Sequence, residues 1–213
     1  MLRVNEIFYS IQGESTYAGR PCAFVRLTGC DLRCAWCDTA YAFTEGRIRS
    51  IDEVLQEVDA FGCDLVEITG GEPLLQEDVY RLMERLIEGG RTVLLETGGH
   101  RSLARVPREV VKVMDVKCPG SGEAHRIDWT NLDLLGPRDE VKFVIADRAD
   151  YDYATGAVRA HDLDRRCGAV LFSPVHGALA ASDLSAWVLA DRLQVRVQLQ
   201  LHKLIWGPDA RGV

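Results

Sequence analysis

The stretch "CAFVRLTGCDLRCAWCDTAY", residues 22–41, joins an apolar segment to a loop that carries three cysteines. Residues 22–29 are rich in strand-forming side chains and end at a glycine, a pattern that predicts a β-strand. Cys30, Cys34 and Cys37 follow directly, with the spacing C-x3-C-x2-C. In α/β proteins, chemically active side chains gather just beyond the carboxyl ends of the strands. The stretch therefore predicts both a strand of an α/β sheet and the position of a site.

Strand-like runs alternate with helical patterns along the rest of the chain. Further strands are predicted at 64–71, 91–97, 109–117, 139–146, 168–174 and 195–202. Helices are predicted at 50–61, 76–90, 128–135, 148–165 and 178–193, the first with Ser50 and Glu53 in a capping-box pattern. This alternation is typical of βαβ units around a parallel sheet. At 213 residues, the chain is expected to form a single domain, 1–213.

Polar groups follow several of the predicted strands. They are Thr69 to Glu72, Glu96 to Gly98, Asp115 with Lys117, and Ser173 with Pro174. Because the carboxyl ends of parallel strands meet at one edge of a sheet, we expect these groups to lie near the cysteine loop.

The three clustered thiols are predicted to bind iron. A [4Fe–4S] cluster normally takes four protein thiolates, so three leave one iron open to an exogenous ligand. Three alternatives stay open at this point. One is a zinc ion completed by Cys63, Cys118 or His100, and another is a four-thiolate electron-transfer cluster completed by Cys118. The third is a set of unrelated buried thiols.

Composition limits the classes of partner and compartment. The net charge of -7 disfavours an extended nucleic-acid-binding face. No apolar run approaches the length of a bilayer span, and the N-terminal stretch lacks a segment of signal-peptide type. The cysteines number seven, and Cys22, Cys63 and Cys167 are predicted to be buried, reduced thiols. We therefore expect a cytoplasmic protein that binds neither a membrane nor nucleic acid.

Two motifs together resemble those of the radical S-adenosylmethionine (SAM) superfamily. They are C-x3-C-x-aromatic-C after the first strand named above and "TGGEP", 69–73, after the next. The resemblance implies a shortened, open (β/α)6-like partial TIM barrel, with a [4Fe–4S] cluster on Cys30, Cys34 and Cys37 and with SAM on the open iron. Cleavage of SAM at the cluster then supplies a 5′-deoxyadenosyl radical, so no side chain is expected to be the catalyst. The SAM contacts implied are Trp36 (beside the adenine), Cys37, Asp38, Gly70, Gly71, Glu72, Glu96, Thr97, Asp115 and Lys117.

Longer stretches resemble the 7-carboxy-7-deazaguanine synthase family of that superfamily. They are "EIFYSIQGES" (6–15), "GRPCAFVRLTGC" (19–30), "WCDTAY" (36–41), "MDVKCPGSG" (114–122) and "QLQLHK" (198–203). Members of this family rearrange 6-carboxy-5,6,7,8-tetrahydropterin to 7-carboxy-7-deazaguanine with loss of ammonia, a step toward queuosine in tRNA and other deazapurines. The resemblance also implies that Thr39 binds a Mg2+ ion that contacts the substrate.

The residue types near these motifs suit a pterin ligand. An amide and amino edge together with a carboxylate needs mixed donors and acceptors, and a guanidinium binds a carboxylate through two hydrogen bonds. Each candidate also fits a purely structural role. The substrate contacts expected are Gln12, Gly13 and Glu14 at the heterocycle edge, Arg26 on the carboxylate, Thr69, and His202 near the end of the last predicted strand.

The resemblance extends to partners and leaves two rival functions. It implies an electron donor such as flavodoxin or ferredoxin, and a homodimer. A glycyl-radical-enzyme activating enzyme of the same superfamily shares the three-cysteine spacing. A non-catalytic iron–sulfur or zinc protein is the other rival, although it has no use for "TGGEP".

Overall fold

A computed structural model describes residues 1–213 and contains one nine-stranded sheet. The strands are β1 (Leu2–Ile11), β2 (Pro21–Leu27), β3 (Arg47–Arg49), β4 (Leu65–Gly70), β5 (Thr92–Thr97), β6 (Val111–Val116), β7 (Glu140–Ile145), β8 (Ala169–Pro174) and β9 (Arg196–Val197). The α-helices are α1 (Ile51–Ala60), α2 (Val79–Glu88), α3 (Arg148–Ala160), α4 (Leu163–Arg166), α5 (Ala181–Asp191) and α6 (Leu201–Trp206). None of these helices has the length and apolar character needed to cross a membrane.

The sheet is open, with the strand order β3-β1-β2-β4-β5-β6-β7-β8-β9. Strands β2 and β4 to β9 are parallel, whereas β1 and β3 pair antiparallel at one edge. The six long parallel strands, β2 and β4 to β8, confirm the shortened (β/α)6-like partial barrel. No α-helix separates β5 from β6, and only 3-10 turns separate β6 from β7.

The local sequence accounts for these elements. In α1, Ser50 and Glu53 make both reciprocal hydrogen bonds of the predicted capping box. In α2, Val79, Leu82, Met83 and Leu86 form one buried face against the sheet, at the spacing of a helix with one apolar stripe. Every residue of β6 is buried, as expected for a strand covered on both faces. Packing on both faces leaves the carboxyl edge of the sheet as the place for a pocket.

The last predicted strand, 195–202, is wrong. Strand β9 covers only Arg196–Val197, and α6 begins at Leu201, so His202 lies on a helix. The intervening segment pairs with the loop after β1: the Gln198 side chain donates to the Ser15 carbonyl at 3.0 Å. The Leu201 amide donates to the Gly13 carbonyl at 3.1 Å. Strands β1 and β3 were not predicted, and Cys167 is partly exposed rather than buried.

Candidate active site

The carboxyl ends of the parallel strands open into a cavity of about 280 Å³. The cysteine loop, the loop after β1, the turn after β4 and helix α6 enclose it. Glu72 is the only predicted site residue that does not line the cavity. Those that do are Gln12, Gly13, Glu14, Arg26, Cys30, Cys34, Trp36, Cys37, Asp38, Thr39, Thr69, Gly70, Gly71, Glu96, Thr97, Asp115, Lys117 and His202.

Cys30, Cys34 and Cys37 are free, half-buried thiols on one side of this cavity. No fourth thiol joins them, because Cys63 donates to the Pro21 and Leu65 carbonyls and Cys118 is enclosed in the core. No three His, Cys, Asp or Glu side chains come close enough together to hold a single ion. Three thiols that line one cavity without being placed to hold a single ion fit a multi-iron cluster with one unprotected iron better than a zinc ion.

The surroundings of Cys30 and Cys34 disfavour the thiolate form when no metal is bound. Burial is the main cause that raises the pKa of Cys34 to about 11, with Lys117 acting in the opposite direction. Burial also raises the pKa of Cys30. A coordinated metal deprotonates a thiol outright, so a bound cluster would supply the charge that stabilises the thiolates here.

Gly70 and Gly71 hold the turn after β4 against the cysteine loop. The Glu72 amide donates to the Gly29 carbonyl at 2.8 Å, and the Gly71 amide donates to the Leu27 carbonyl at 3.2 Å. A Cβ on Gly71 would lie 2.6 Å from the Cys30 Cβ and closer still to the Gly29 carbonyl oxygen. Gly70 has a φ of +148°, which favours glycine. The pair therefore sets the position of Cys30 relative to β4.

Glu72 lies behind the cavity wall and orders the next loop. Its oxygens accept from the Thr97 hydroxyl and the Gly98 amide, each at 2.9 Å, and from the Leu74 amide at 3.0 Å. The side chain is only 1% exposed. Its predicted direct contact with SAM stays a prediction.

Lys142, on β7, is the central cation of the cavity floor, and sequence reasoning missed it. Its Nζ donates to Glu14 Oε2 at 2.8 Å and to Glu96 Oε1, and it lies 3.4 Å from Asp115 Oδ2. Asp115 also accepts from Lys117 at 2.8 Å. Burial opposes the charge, but the three carboxylates hold the pKa of Lys142 well above its usual value. A lysine between the apolar residues Val141 and Phe143 of a strand is the sequence signal that would have found it.

Hydrogen bonds of Gln12 and Glu67 hold the loop after β1 in place. The Gln12 amide nitrogen donates to Glu67 Oε2 at 2.7 Å, while Gln12 Oε1 accepts from the Glu14 and Ser15 amides at 2.7 and 3.0 Å. Burial, and then the nearby Glu96, raise the pKa of Glu67. Glu67 lines the cavity and was also missed, although it too interrupts an apolar strand.

Arg26 presents its terminal nitrogens to the cavity. Its Nε donates to Glu6 Oε1 at 2.7 Å, and the Tyr41 hydroxyl donates to the same oxygen at 2.9 Å. The guanidinium lies 5.7 Å from the centre of the Phe8 ring. Its terminal N–H groups have no protein acceptor, so they are free to bind a carboxylate of a ligand.

Thr39 offers a free hydroxyl next to the cysteines. It precedes a 3-10 turn, Ala40–Phe43, but its side chain does not cap that turn. Its Oγ1 lies 3.8 Å from Cys37 Sγ. Asp38 is held by Lys203 of α6 at 2.7 Å, so α6 and the cysteine loop are tied together beside Thr39. A hydroxyl at the cavity wall fits the oxygen ligands that Mg2+ prefers.

Gly13, His202 and the C-terminal residues complete the enclosure. A Cβ on Gly13 would lie 2.6 Å from His202 Nδ1, so glycine lets the α6 histidine approach the loop. His202 Nε2 lies 3.9 Å from Glu14 Oε1. Five C-terminal residues, which the sequence did not assign, also line the cavity; they are Pro208, Ala210, Arg211, Gly212 and Val213.

Comparisons with known proteins agree with this site. Residues 24–172 match the Radical SAM superfamily. The chain is 51% identical to 7-carboxy-7-deazaguanine synthase of Koribacter versatilis, over the full length of both proteins. It is 47% identical to the synthase of Chlorobaculum tepidum, with 100% of this chain and 97% of that protein covered.

Solved structures show the same fold. QueE from Escherichia coli is similar with a TM-score of 0.74 at 24% identity, over 93% of each chain. Streptococcus suis SuiB bound to the precursor peptide SuiA has a TM-score of 0.58 at 12% identity. That likeness covers 80% of this chain and 46% of SuiB. These relatives match over almost their full length at high identity, and the three-cysteine cavity agrees with them. The chain therefore belongs to the 7-carboxy-7-deazaguanine synthase family of the radical SAM superfamily.

Proposed function

We propose that the chain is a radical SAM lyase that converts 6-carboxy-5,6,7,8-tetrahydropterin to 7-carboxy-7-deazaguanine and ammonia, in 7-deazapurine and queuosine biosynthesis. The observation that carries the proposal is one cavity that joins three free thiols to the terminal nitrogens of Arg26 and a group of carboxylates. Relatives that bear the synthase name and match over the whole of this chain support it.

The cofactors are a [4Fe–4S] cluster, SAM and Mg2+. When bound, the cluster and SAM supply the 5′-deoxyadenosyl radical that starts the rearrangement. Cys30, Cys34 and Cys37 would hold the cluster at the wall of the cavity. Gly70 and Gly71 present bare backbone where SAM approaches. The remaining SAM contacts proposed are Trp36, Asp38, Glu72, Glu96, Thr97, Asp115 and Lys117.

The chain's own polar groups orient the substrate. Arg26 would bind the carboxylate through its terminal nitrogens, and Thr39 would supply a hydroxyl oxygen to Mg2+ in the same cavity. Glu14 accepts from the heterocycle edge, and the positions of Gln12, Gly13, Thr69 and His202 around it support roles at that edge. Enclosure by α6 and the C-terminal residues suits a small ligand better than the backbone glycine of a partner protein.

Substituting valine for Thr39 is expected to raise the Mg2+ concentration needed for half-maximal activity. Valine keeps the shape but removes the oxygen ligand, and we expect at least about a tenfold shift, the lower end of what losing a metal-supporting group costs. Thr39→Ser, which keeps the hydroxyl, should stay near the parent. A Mg2+ titration of chelator-treated enzyme measures the shift. Equal Mg2+ curves for the valine and serine variants would remove Thr39 from the metal site.

Arg26→Gln is expected to weaken binding of the carboxylated pterin by about 10- to 100-fold, the loss of hydrogen bonds to a charged group. A tetrahydropterin without the carboxylate should bind the parent and the variant equally. Arg20→Gln is the matched control, because Arg20 is exposed over the Tyr17 ring and does not line this cavity. Competition binding measures both ligands. Equal losses for both ligands would mean that Arg26 acts on the fold of the pocket and not on the carboxylate.

The family also suggests partners and a cellular location for the chain. We propose an electron donor such as flavodoxin or ferredoxin, a homodimer, and no nucleic acid or membrane partner. Exposed Leu204, Ile205 and Trp206 on α6 support an association surface. Seven free thiols support a cytoplasmic location. The single sheet supports one domain, 1–213.

The proposed reaction is tested with anaerobically reconstituted protein, SAM, a reductant and 6-carboxytetrahydropterin. Mass spectrometry should find 7-carboxy-7-deazaguanine. SAM cleavage without this product would keep the radical chemistry but reject the substrate.

A further inference from the structure

A buried lysine links carboxylates from three parts of the cavity. Lys142 is 3% exposed and reaches Glu14 in the loop after β1, Glu96 at the end of β5 and Asp115 on β6. Lys142 and Asp115 are direct partners in the register of β6 and β7, so their side chains start from neighbouring points of the sheet. No other side chain contacts carboxylates from all three elements.

The charge balance of this group depends on Lys142. Glu14, Glu96 and Asp115 are matched by two ammonium groups, Lys142 and Lys117, and Lys117 contacts only Asp115. Glu14 and Glu96 therefore have Lys142 as their only lysine partner. Removing one partner of a buried ion pair leaves an uncompensated charge, and neighbouring carboxylates repel each other.

We propose that Lys142 is a positioning residue that holds the Glu14 carboxylate in place, against repulsion from the neighbouring Glu96 carboxylate, so that Glu14 receives the donor edge of the substrate. The inference deepens the proposed function and rests on it for the identity of the ligand. Lys142 is almost fully buried and acts through Glu14.

The chain contains a matched control. Lys112, on β6, is also buried, at 4% exposure, and pairs with Asp139 at 3.2 Å. Neither residue lines the cavity. Lys112→Met and Lys142→Met thus remove the same charge from two buried ion pairs, only one of which borders the cavity.

The test measures binding of 6-carboxypterin to the anaerobically reconstituted protein by equilibrium dialysis. Lys142→Met is expected to weaken binding by about 10- to 100-fold, the loss of a hydrogen-bonded charge, whereas Lys112→Met should stay within about twofold. A second variant, Lys142→Met with Glu96→Gln, removes one of the unpaired charges. The double variant should recover part of the lost affinity. A protein that had lost affinity only through poorer packing would not recover it.

Four results would overturn the inference. They are full affinity in Lys142→Met, an equal loss in Lys112→Met, no recovery in the double variant, and full affinity in Lys142→Gln. The last variant keeps a hydrogen-bond donor without the charge and replaces Lys142→Met if that protein does not fold. If the parent protein fails to bind 6-carboxypterin, the proposed function and the role of Lys142 fall together; if it binds and Lys142→Met binds equally, only the role of Lys142 falls.

Discussion

Replacing any one of Cys30, Cys34 and Cys37 with serine is expected to reduce product formation below detection. The three thiols line one cavity and no fourth cysteine is placed to substitute for a lost ligand. Each variant should also bind less iron and sulfide after reconstitution and cleave no SAM. Iron and sulfide content, with 5′-deoxyadenosine measured by chromatography, checks the expectation.

The control for these variants is Cys167→Ser. Cys167 is a partly exposed free thiol that does not line the cavity. This variant should keep the iron content and the activity of the parent. A Cys34→Ser protein with full iron content and normal SAM cleavage would contradict a three-thiolate cluster.

Gly71→Ala is expected to lower cluster content and product formation almost as far as loss of a cysteine. The new methyl group would lie 2.6 Å from the Cys30 Cβ and would also meet the Gly29 carbonyl oxygen, both parts of a backbone-linked turn. The cysteine loop must then move away from β4. Because real Cβ atoms do not approach backbone that closely, relaxation of one side chain cannot relieve the contact. Iron content and SAM cleavage measure the effect.

The control is Gly156→Ala, which adds the same methyl group at a position where it should not disturb the fold. Gly156 is exposed within α3, and an added Cβ meets nothing within 4 Å. Alanine there should stabilise the fold by up to about 1 kcal/mol, the difference in helix propensity. Thermal unfolding of both variants separates local displacement at Gly71 from a general effect of alanine. Normal cluster content in Gly71→Ala would show that the turn does not position Cys30.

The strands and the site edge were predictable because their signals are local. Apolar runs such as 64–71 end at glycines, and the polar groups that follow them meet at the carboxyl edge of a parallel sheet. The cysteine spacing was likewise visible in 22–41. Its neighbour Thr39 needed the resemblance to a family, since a lone threonine carries no metal signal.

The C-terminal segment misled sequence reasoning for a physical reason. The alternation in 195–202 suits a strand, yet Gln198 and Gln200 use their amides on Ser15 and Glu14. Alternate side chains in this segment face the loop after β1 instead of a neighbouring strand. The two-residue period of the side chains is therefore that of a strand, although the segment is not one. His202 still reaches the cavity, but from α6.

Lys142 and Glu67 were missed because their partners are remote in sequence. Lys142 meets Glu14 across 128 positions, and Glu67 meets Gln12 across 55. Only the folded chain brings these polar side chains together. A charged residue inside a buried strand is nonetheless a signal of its own, since unpaired charges are excluded from cores.

The proposed reaction is tested most directly by the ratio of ammonia to 7-carboxy-7-deazaguanine that the reconstituted enzyme forms from 6-carboxytetrahydropterin. We expect equal amounts of the two products, with neither formed by the Cys34→Ser protein. A fully loaded enzyme that cleaves SAM but forms no deazaguanine, or that releases ammonia without it, would rule out this reaction.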